Sequence, residues 1–304
     1  MKVCGNGRTS DMRNSVIFTD SHDIFYTWNR SRDMSCDMQL NEWEVLLKNN
    51  PDSDVLFFVH PQEEAIKNKW EEPWKTQRMI EINNKYKNNR KIIFHAFLWT
   101  YNSIREMLPY IKQQGFTDIQ ISPCQGVKGN GREFWRLYQP LKIGFCDSFL
   151  GTKQECRNMC LEAKQIGIGV IMDVIFRHVA GDDYGNLIPH EQVDKNLIKY
   201  VLTDKENCKD NEYNDRWCYT NKALGTPMLN IWDEDYQQAC RNFLDELIEL
   251  GIDGIRLDQL KHYPVSSEGC NFLKNVMQPY EDRLFIYGEV IDCPTNINDL
   301  YIKY

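Results

Sequence analysis

The 304-residue chain is 42% hydrophobic and 26% charged, which is enough apolar side chain for a core and excludes wholesale disorder. Its 44 acidic residues outnumber 36 basic ones, a net charge of -8, so no basic excess exists to displace counterions from nucleic acid. No run reaches the roughly 18 apolar residues of a membrane span. The opening MKVCGNGRTSDMRNS also lacks the apolar centre of a secretory leader. Eleven cysteines, an odd number with no CxxC or zinc spacing, read as reduced thiols that mostly fill the core. Together these features lead us to expect a cytoplasmic protein with neither nucleic acid nor membrane as partner.

Taken in order, short apolar runs alternate with amphipathic helical patterns. SVIFT (15–19) is followed by NEWEVLLK, then VLFFVH (55–60) and IIFHAF (92–97). SIREMLPYIKQQG leads to TDIQIS (117–122), and TKQECRNMCLEAKQIG to GVIMDVIF (169–176). DEDYQQACRNFLDELIELG precedes GIRLD (254–258), and NFLKNVMQPY precedes LFIYGEV (284–290). Near-continuous apolar strands suit a parallel sheet buried on both faces. Gly115, Gly167 and Gly251 stand where left-handed helix caps belong. Alternating strands and helices predict α/β architecture, with seven strands visible and an eighth needed to close a (β/α)8 TIM barrel. A doubly wound open sheet is the alternative, weakened because no Gly-rich phosphate-binding turn follows any strand. Residues 178–232 break the rhythm with a long polar stretch, expected to be an inserted loop subdomain on the C-terminal face of the barrel.

Charged residues gather where apolar strands end. Period-two alternation puts Gly254, Arg256 and Asp258 on one face of their strand, and Asp173 on the face of Ile171 and Ile175. Glu289 closes the last strand after Gly288, and His178 follows the exit of GVIMDVIF. An Arg two residues from an Asp is expected to lower that carboxylate's pKa, as an ionised nucleophile requires. Each residue alone reads equally well as half of a satisfied ion pair. Three acids converging on one end of a barrel do not, because burying charge without a task is costly.

DVIFRH, GIRLDQLKH and YGEV resemble, in order and spacing, the first three signature segments of the α-amylase family of retaining glycoside hydrolases. IIFHAFLWTYNSI, GFTDIQISPCQG, WRLYQPLKIG, SFLGTKQE and NDRWCYT are similar to the bacterial-type true α-amylases, so the resemblance runs from about Ile92 to Tyr304. The family's fourth segment should follow Glu289, yet its likeness, SVIFTDSHD, lies near the amino terminus. DVLFFVHP resembles the family's strand 8, and NDLYIKY written before MKVCG resembles its helix 5 running into strand 6. The resemblance therefore implies a circularly permuted barrel: residues 1–177 carry family strands 6–8 and then 1–3, residues 178–232 are the insertion after strand 3, and residues 233–304 carry strands 4–5. Met1–Cys4 is then expected to form a strand beside the one containing Val16–Phe18.

The same resemblance implies roles. Asp258 is the nucleophile, Glu289 the general acid/base, and Asp23 the third carboxylate. Arg256 holds Asp258, and Asp173 orients Arg256. His178 and His22 bind the sugar at the cleavage point, Tyr138 stacks on it beside Gln139, and Lys261 and His262 serve the leaving-group side. Retaining chemistry expects the two reacting carboxyls roughly 5–5.5 Å apart. The implied activity is hydrolysis of internal α-1,4-glucosidic bonds in starch- or glycogen-type glucans, with polysaccharide or maltooligosaccharides as the partner. A transglycosylase using the same carboxylates, or a non-catalytic glucan-binding derivative, remains open. No cofactor is required. Calcium is the one metal the resemblance raises, and it is doubtful because Arg177 and Asn230 stand at the family's calcium-ligand positions. We expect that metal site to be weakened or absent, with Arg177 paired to acids of the insertion.

Overall fold

Eight strands follow one another as β1 (Lys2–Cys4), β2 (Ser15–Phe18), β3 (Asp54–Val59), β4 (Ile92–Ala96), β5 (Asp118–Ile121), β6 (Gly169–Val174), β7 (Gly254–Leu257) and β8 (Phe285–Glu289). They come from a computed structural model that describes residues 1–4, 9–18, 34–209, 212, 215–291, 293 and 295–302. Each strand pairs in parallel with the next, and β1 pairs with β8 through Lys2↔Tyr287, Val3↔Gly288 and Cys4↔Glu289. The barrel is closed, as a TIM barrel is, and the open-sheet alternative is excluded. The expected eighth strand is β1, which lies beside β2 with Val3 opposite Ser15 and Cys4 opposite Val16. Closure removes every free sheet edge, so even a three-residue strand is held on both sides.

Period-two alternation sorts the side chains between two cores. Cys4, Val16, Phe18, Leu56, Ile93, Ile171 and Tyr287 pack together inside the barrel. Val3, Val55, Phe94, Ile119, Met172, Leu257 and Ile286 face outward into the larger core beneath the helices. Those helices start where the sequence offers a cap. Ser35, Thr76, Thr100 and Asp233 each accept a backbone N–H of the first turn, and Thr152 forms a reciprocal capping box with Glu155. The helix Glu234–Leu250 ends on Gly251 at φ 98°, the left-handed cap its sequence suggested.

Two segments differ from simple helical expectation. NFLKNVMQPY winds as a π turn over Leu273–Met277 and then tightens into a 3-10 turn over Gln278–Tyr280. Pro279 lacks the N–H that a continuing α-helix would need there. Between β6 and the helix Glu234–Leu250, residues 178–232 carry the short helices Lys195–Ile198 and Arg216–Asn221 with isolated bridges such as His178↔Met228 and Val201↔Leu229. All eleven cysteines are free, eight of them buried. Among the described residues, no helix is long and apolar enough to cross a membrane.

Candidate active site

The strands bring their C-terminal ends to one mouth, and there the inward faces of β6, β7 and β8 turn charged. Arg256, 2% exposed, sits at the centre. Its Nη1 donates to Asp258 Oδ1 at 2.9 Å and lies 3.5 Å from Asp173 Oδ2, while Nη2 reaches Glu289 Oε1 at 2.5 Å. Three carboxylates from three strands thus share one guanidinium. Asp258 and Glu289 contact adjacent nitrogens of the same fork, a placement compatible with the roughly 5 Å spacing of retaining carboxyl pairs.

Local backbone features fix this arrangement. The amide of Asp258 donates to Val174 O at 2.9 Å, extending the β6–β7 ladder one residue past the strand. Gln259 then takes the left-handed conformation at φ 53°, unfavourable for a residue with a Cβ, and its amide donates to Glu289 Oε2 at 3.2 Å. Gly288 makes room for this turn, since a Cβ there would lie 2.4 Å from the Leu260 side chain.

A layer below, Asp173 is held by donors the sequence did not reveal. Tyr138 donates its hydroxyl to Oδ2 at 2.5 Å, and Gln120 Nε2 donates to Oδ1 at 3.0 Å. Tyr287 donates its hydroxyl to Gln120 Oε1, and His95 Nε2 lies 3.2 Å from Gln120 Nε2. Gln120, Tyr287 and His95 are missed members of the site. Their one signal was a polar group in the middle of an apolar strand.

The electrostatics reverse one expectation. Burial raises Asp258 above the ordinary carboxylate range, and Glu289 and Asp173 add to the rise, together outweighing the pull of Arg256. Burial likewise pushes Asp173 up to about 6, partly offset by Arg256 and the Tyr138 hydroxyl. The lowered pKa expected for Asp258 assumed one partner for Arg256, whereas that cation is divided among three acids. The upward shift belongs to the group of acids and not to any one member.

The remaining residues lie around this centre. His178, 5% exposed, has Nε2 2.8 Å from Tyr138 O, and burial lowers it to about 4, so it is neutral. Gln139 accepts the Gly181 amide at 3.3 Å. Lys261 Nζ donates to Ile291 O at 3.1 Å, and His262 Nδ1 is 2.9 Å from Tyr219 O, with the ring lowered to about 3 by burial. His22 and Asp23 lie outside the described residues. β2, which precedes them, ends at Phe18 on the same mouth as the other strands.

Calcium does not fit the residues present. Arg177 donates from Nε to His262 O at 3.1 Å, from Nη1 to Leu229 O at 3.4 Å and from Nη2 to Thr220 O at 2.6 Å. These are main-chain carbonyls, which corrects the expectation that Arg177 pairs with acids. The insertion offers it no carboxylate among the described residues. Asn230 turns its Oδ1 to the Trp232 amide at 3.3 Å. Among the described residues, no group of three or more His, Cys, Asp or Glu is placed to hold a metal. A guanidinium already occupies three carbonyl oxygens there, and a second cation beside it would be repelled.

A closed parallel barrel with three acids around one arginine at its C-terminal mouth has the architecture of the TIM-barrel enzymes, whose active sites sit on that face. The family model for the alpha amylase catalytic domain matches residues 98–283, and the chain belongs to that family. It is 31% identical over 212 residues to the alpha-amylase of Clostridium acetobutylicum, a match covering 66% of this chain and 28% of that protein. Among solved structures, the alpha-amylase of Geobacillus thermoleovorans complexed with acarbose aligns with TM-score 0.51 and 25% identity, over 63% of this chain and 40% of that one. A variant of alpha-amylase I from Eisenia fetida in complex with maltohexaose aligns with TM-score 0.55 and 20% identity, over 66% and 45% respectively, a likeness of fold. The chain spans less than half the length of these relatives.

Proposed function

We propose that this chain is a retaining glycoside hydrolase that cleaves internal α-1,4-glucosidic bonds of starch- or glycogen-type glucans. The observation that carries the reading is the sharing of Arg256 by Asp173, Asp258 and Glu289 at the C-terminal mouth. In this reading Glu289 protonates the glycosidic oxygen as Asp258 attacks the anomeric carbon. The bond to the leaving sugar breaks, and a glycosyl ester forms on Asp258. Glu289, now ionised, takes a proton from water as the water oxygen attacks the anomeric carbon. The bond to Asp258 breaks, the sugar leaves with its configuration retained, and Asp258 returns as carboxylate and Glu289 as acid. The first step needs the proton on Glu289, which neighbouring negative charge favours, and Arg256 stabilises Asp258 as the negative charge returns to it. Tyr138 and Gln120 act through Asp173, which fixes the guanidinium. Asp23, with His22, is assigned to the sugar on the sequence resemblance alone. The ligands of the two solved relatives, acarbose and maltohexaose, support a glucan as substrate.

The order of family-like segments supports a permuted member in which residues 1–177 and 233–304 make the barrel and 178–232 the insertion. The direct experiment is incubation of the purified chain with soluble starch. We expect release of reducing ends with retained α configuration, absent in Asp258→Asn. Release equal in both proteins, or in neither, removes the hydrolase reading, and longer oligosaccharides from a short maltooligosaccharide replace it with a transglycosylase.

A further inference from the structure

Arg177 is 3% exposed and opens the long connection after β6. Its three acceptors come from three places: Thr220 on the helix Arg216–Asn221, Leu229 at the end of the insertion, and His262 on the turn after β7. Its own carbonyl accepts the Leu229 amide at 3.0 Å, and the Trp232 ring covers the guanidinium carbon at 5.8 Å. No carboxylate lies within ion-pair distance among the described residues. A buried charge without a counter-ion is costly, and carbonyl dipoles repay it only where several converge in good geometry. Removing the guanidinium would take the side-chain donor from the carbonyls of Thr220 and His262, while Leu229 O would keep the Ile231 amide at 3.0 Å.

Arg216 works on the same turn. Its Nη1 donates to Lys261 O at 2.7 Å and its Nη2 to Tyr263 O at 3.1 Å, while Glu268 pairs with Nη2 at 2.6 Å. Three consecutive carbonyls, those of Lys261, His262 and Tyr263, are thus all taken by arginines. We propose that Arg177 is a resident organic cation that docks the insertion onto the turn after β7, making this junction independent of calcium. A planar fork of five N–H groups suits scattered carbonyl acceptors in a way the three rotatable donors of lysine do not. Burial lowers Arg177 to about 10, so it stays charged at neutral pH.

The test uses thermal unfolding and limited proteolysis of the full chain, neither of which depends on the proposed reaction. In the wild type, excess EDTA or millimolar calcium should move Tm by less than about 1 °C. Arg177→Met should lower Tm by roughly 5–10 °C and expose new protease cleavage within residues 178–232. Arg177→Lys keeps the charge without the fork and should fold, melting between the two. Should Arg177→Met fail to fold, the lysine variant and the wild-type chelation test still decide. A fall of more than about 5 °C in EDTA that calcium reverses overturns the proposal. So does an Arg177→Lys variant that melts and resists protease as the wild type does.

Discussion

The two mouths of the barrel handle charge in opposite ways. At the N-terminal mouth, Lys2 pairs with Asp54 at 2.5 Å and Lys91 with Asp118 at 2.6 Å. The Phe285 ring lies near both ammonium groups, 5.7 Å from Lys2 Nζ and 4.9 Å from Lys91 Nζ. Each of these acids has its own base. At the C-terminal mouth three acids share Arg256. An end that has only to be closed is neutralised pair by pair. The other end keeps surplus negative charge away from water, which costs stability and raises the pKa of Asp258 and Asp173. The contrast follows the division between the catalytic and the stabilising face of such barrels.

The comparison breaks most sharply at Asp258. Asp258→Asn keeps the shape and removes one of the crowded charges, so glucan hydrolysis should fall by roughly a thousandfold or more while circular dichroism stays native. Activity within tenfold of the wild type would take Asp258 out of the chemistry. Next in size is a pH effect. A folded-state rise of Asp173 to about 6 from its ordinary value of 3.8 corresponds to about 3 kcal/mol. Because that pKa is raised, the folded state binds the proton more tightly, so its contribution is most favourable below pH ~4 and is lost as pH rises through about 6. The stability of Asp173→Asn relative to wild type should therefore improve by about that amount between pH 4 and 7 in parallel denaturant titrations. A constant gap would show that Asp173 is not strained by its charge.

The N-terminal mouth should answer differently. Lys91→Met leaves Asp118, whose side chain is 3% exposed, without its cation, and should cost about 1–3 kcal/mol of stability with activity per folded molecule unchanged. A loss of activity without loss of stability would contradict the division between the mouths. The smallest effect is expected from Tyr138→Phe, which removes one donor to Asp173. It should lower kcat by roughly tenfold and leave Tm within a few degrees. A larger rise in KM than fall in kcat would move Tyr138 from positioning to sugar contact.

Much of this was legible because the physics is local. Apolar runs marked β2 to β8, and period two put Arg256, Asp258 and Asp173 on the inner face. β1, only three residues long, carries too little pattern to stand out and was found through resemblance alone. Asp258 shows why the charge balance escaped. Its neighbour in sequence is Arg256, but Glu289 and Asp173 reach it only through the closed barrel. Gln120 and Tyr287 hid for a similar reason, since a single amide or hydroxyl within an apolar strand looks the same whether it meets a carboxylate or not. Arg177 was recognised as odd, yet acids were expected around it, because carbonyl acceptors belong to every residue and leave no trace in the sequence.

The seam between β1 and β8 sets the order in which the molecule can come into being. Val3 meets Gly288 and Cys4 meets Glu289 across that seam. On the ribosome β1 is made nearly three hundred residues before β8, its second neighbour. Until then β1 has one exposed flank, and the carboxylate of Glu289 has no barrel to enter. Contacts of such span form slowly. Glu289 reaches Arg256 through the pairing of β8 with β7, and the seam with β1 closes the barrel around that pair.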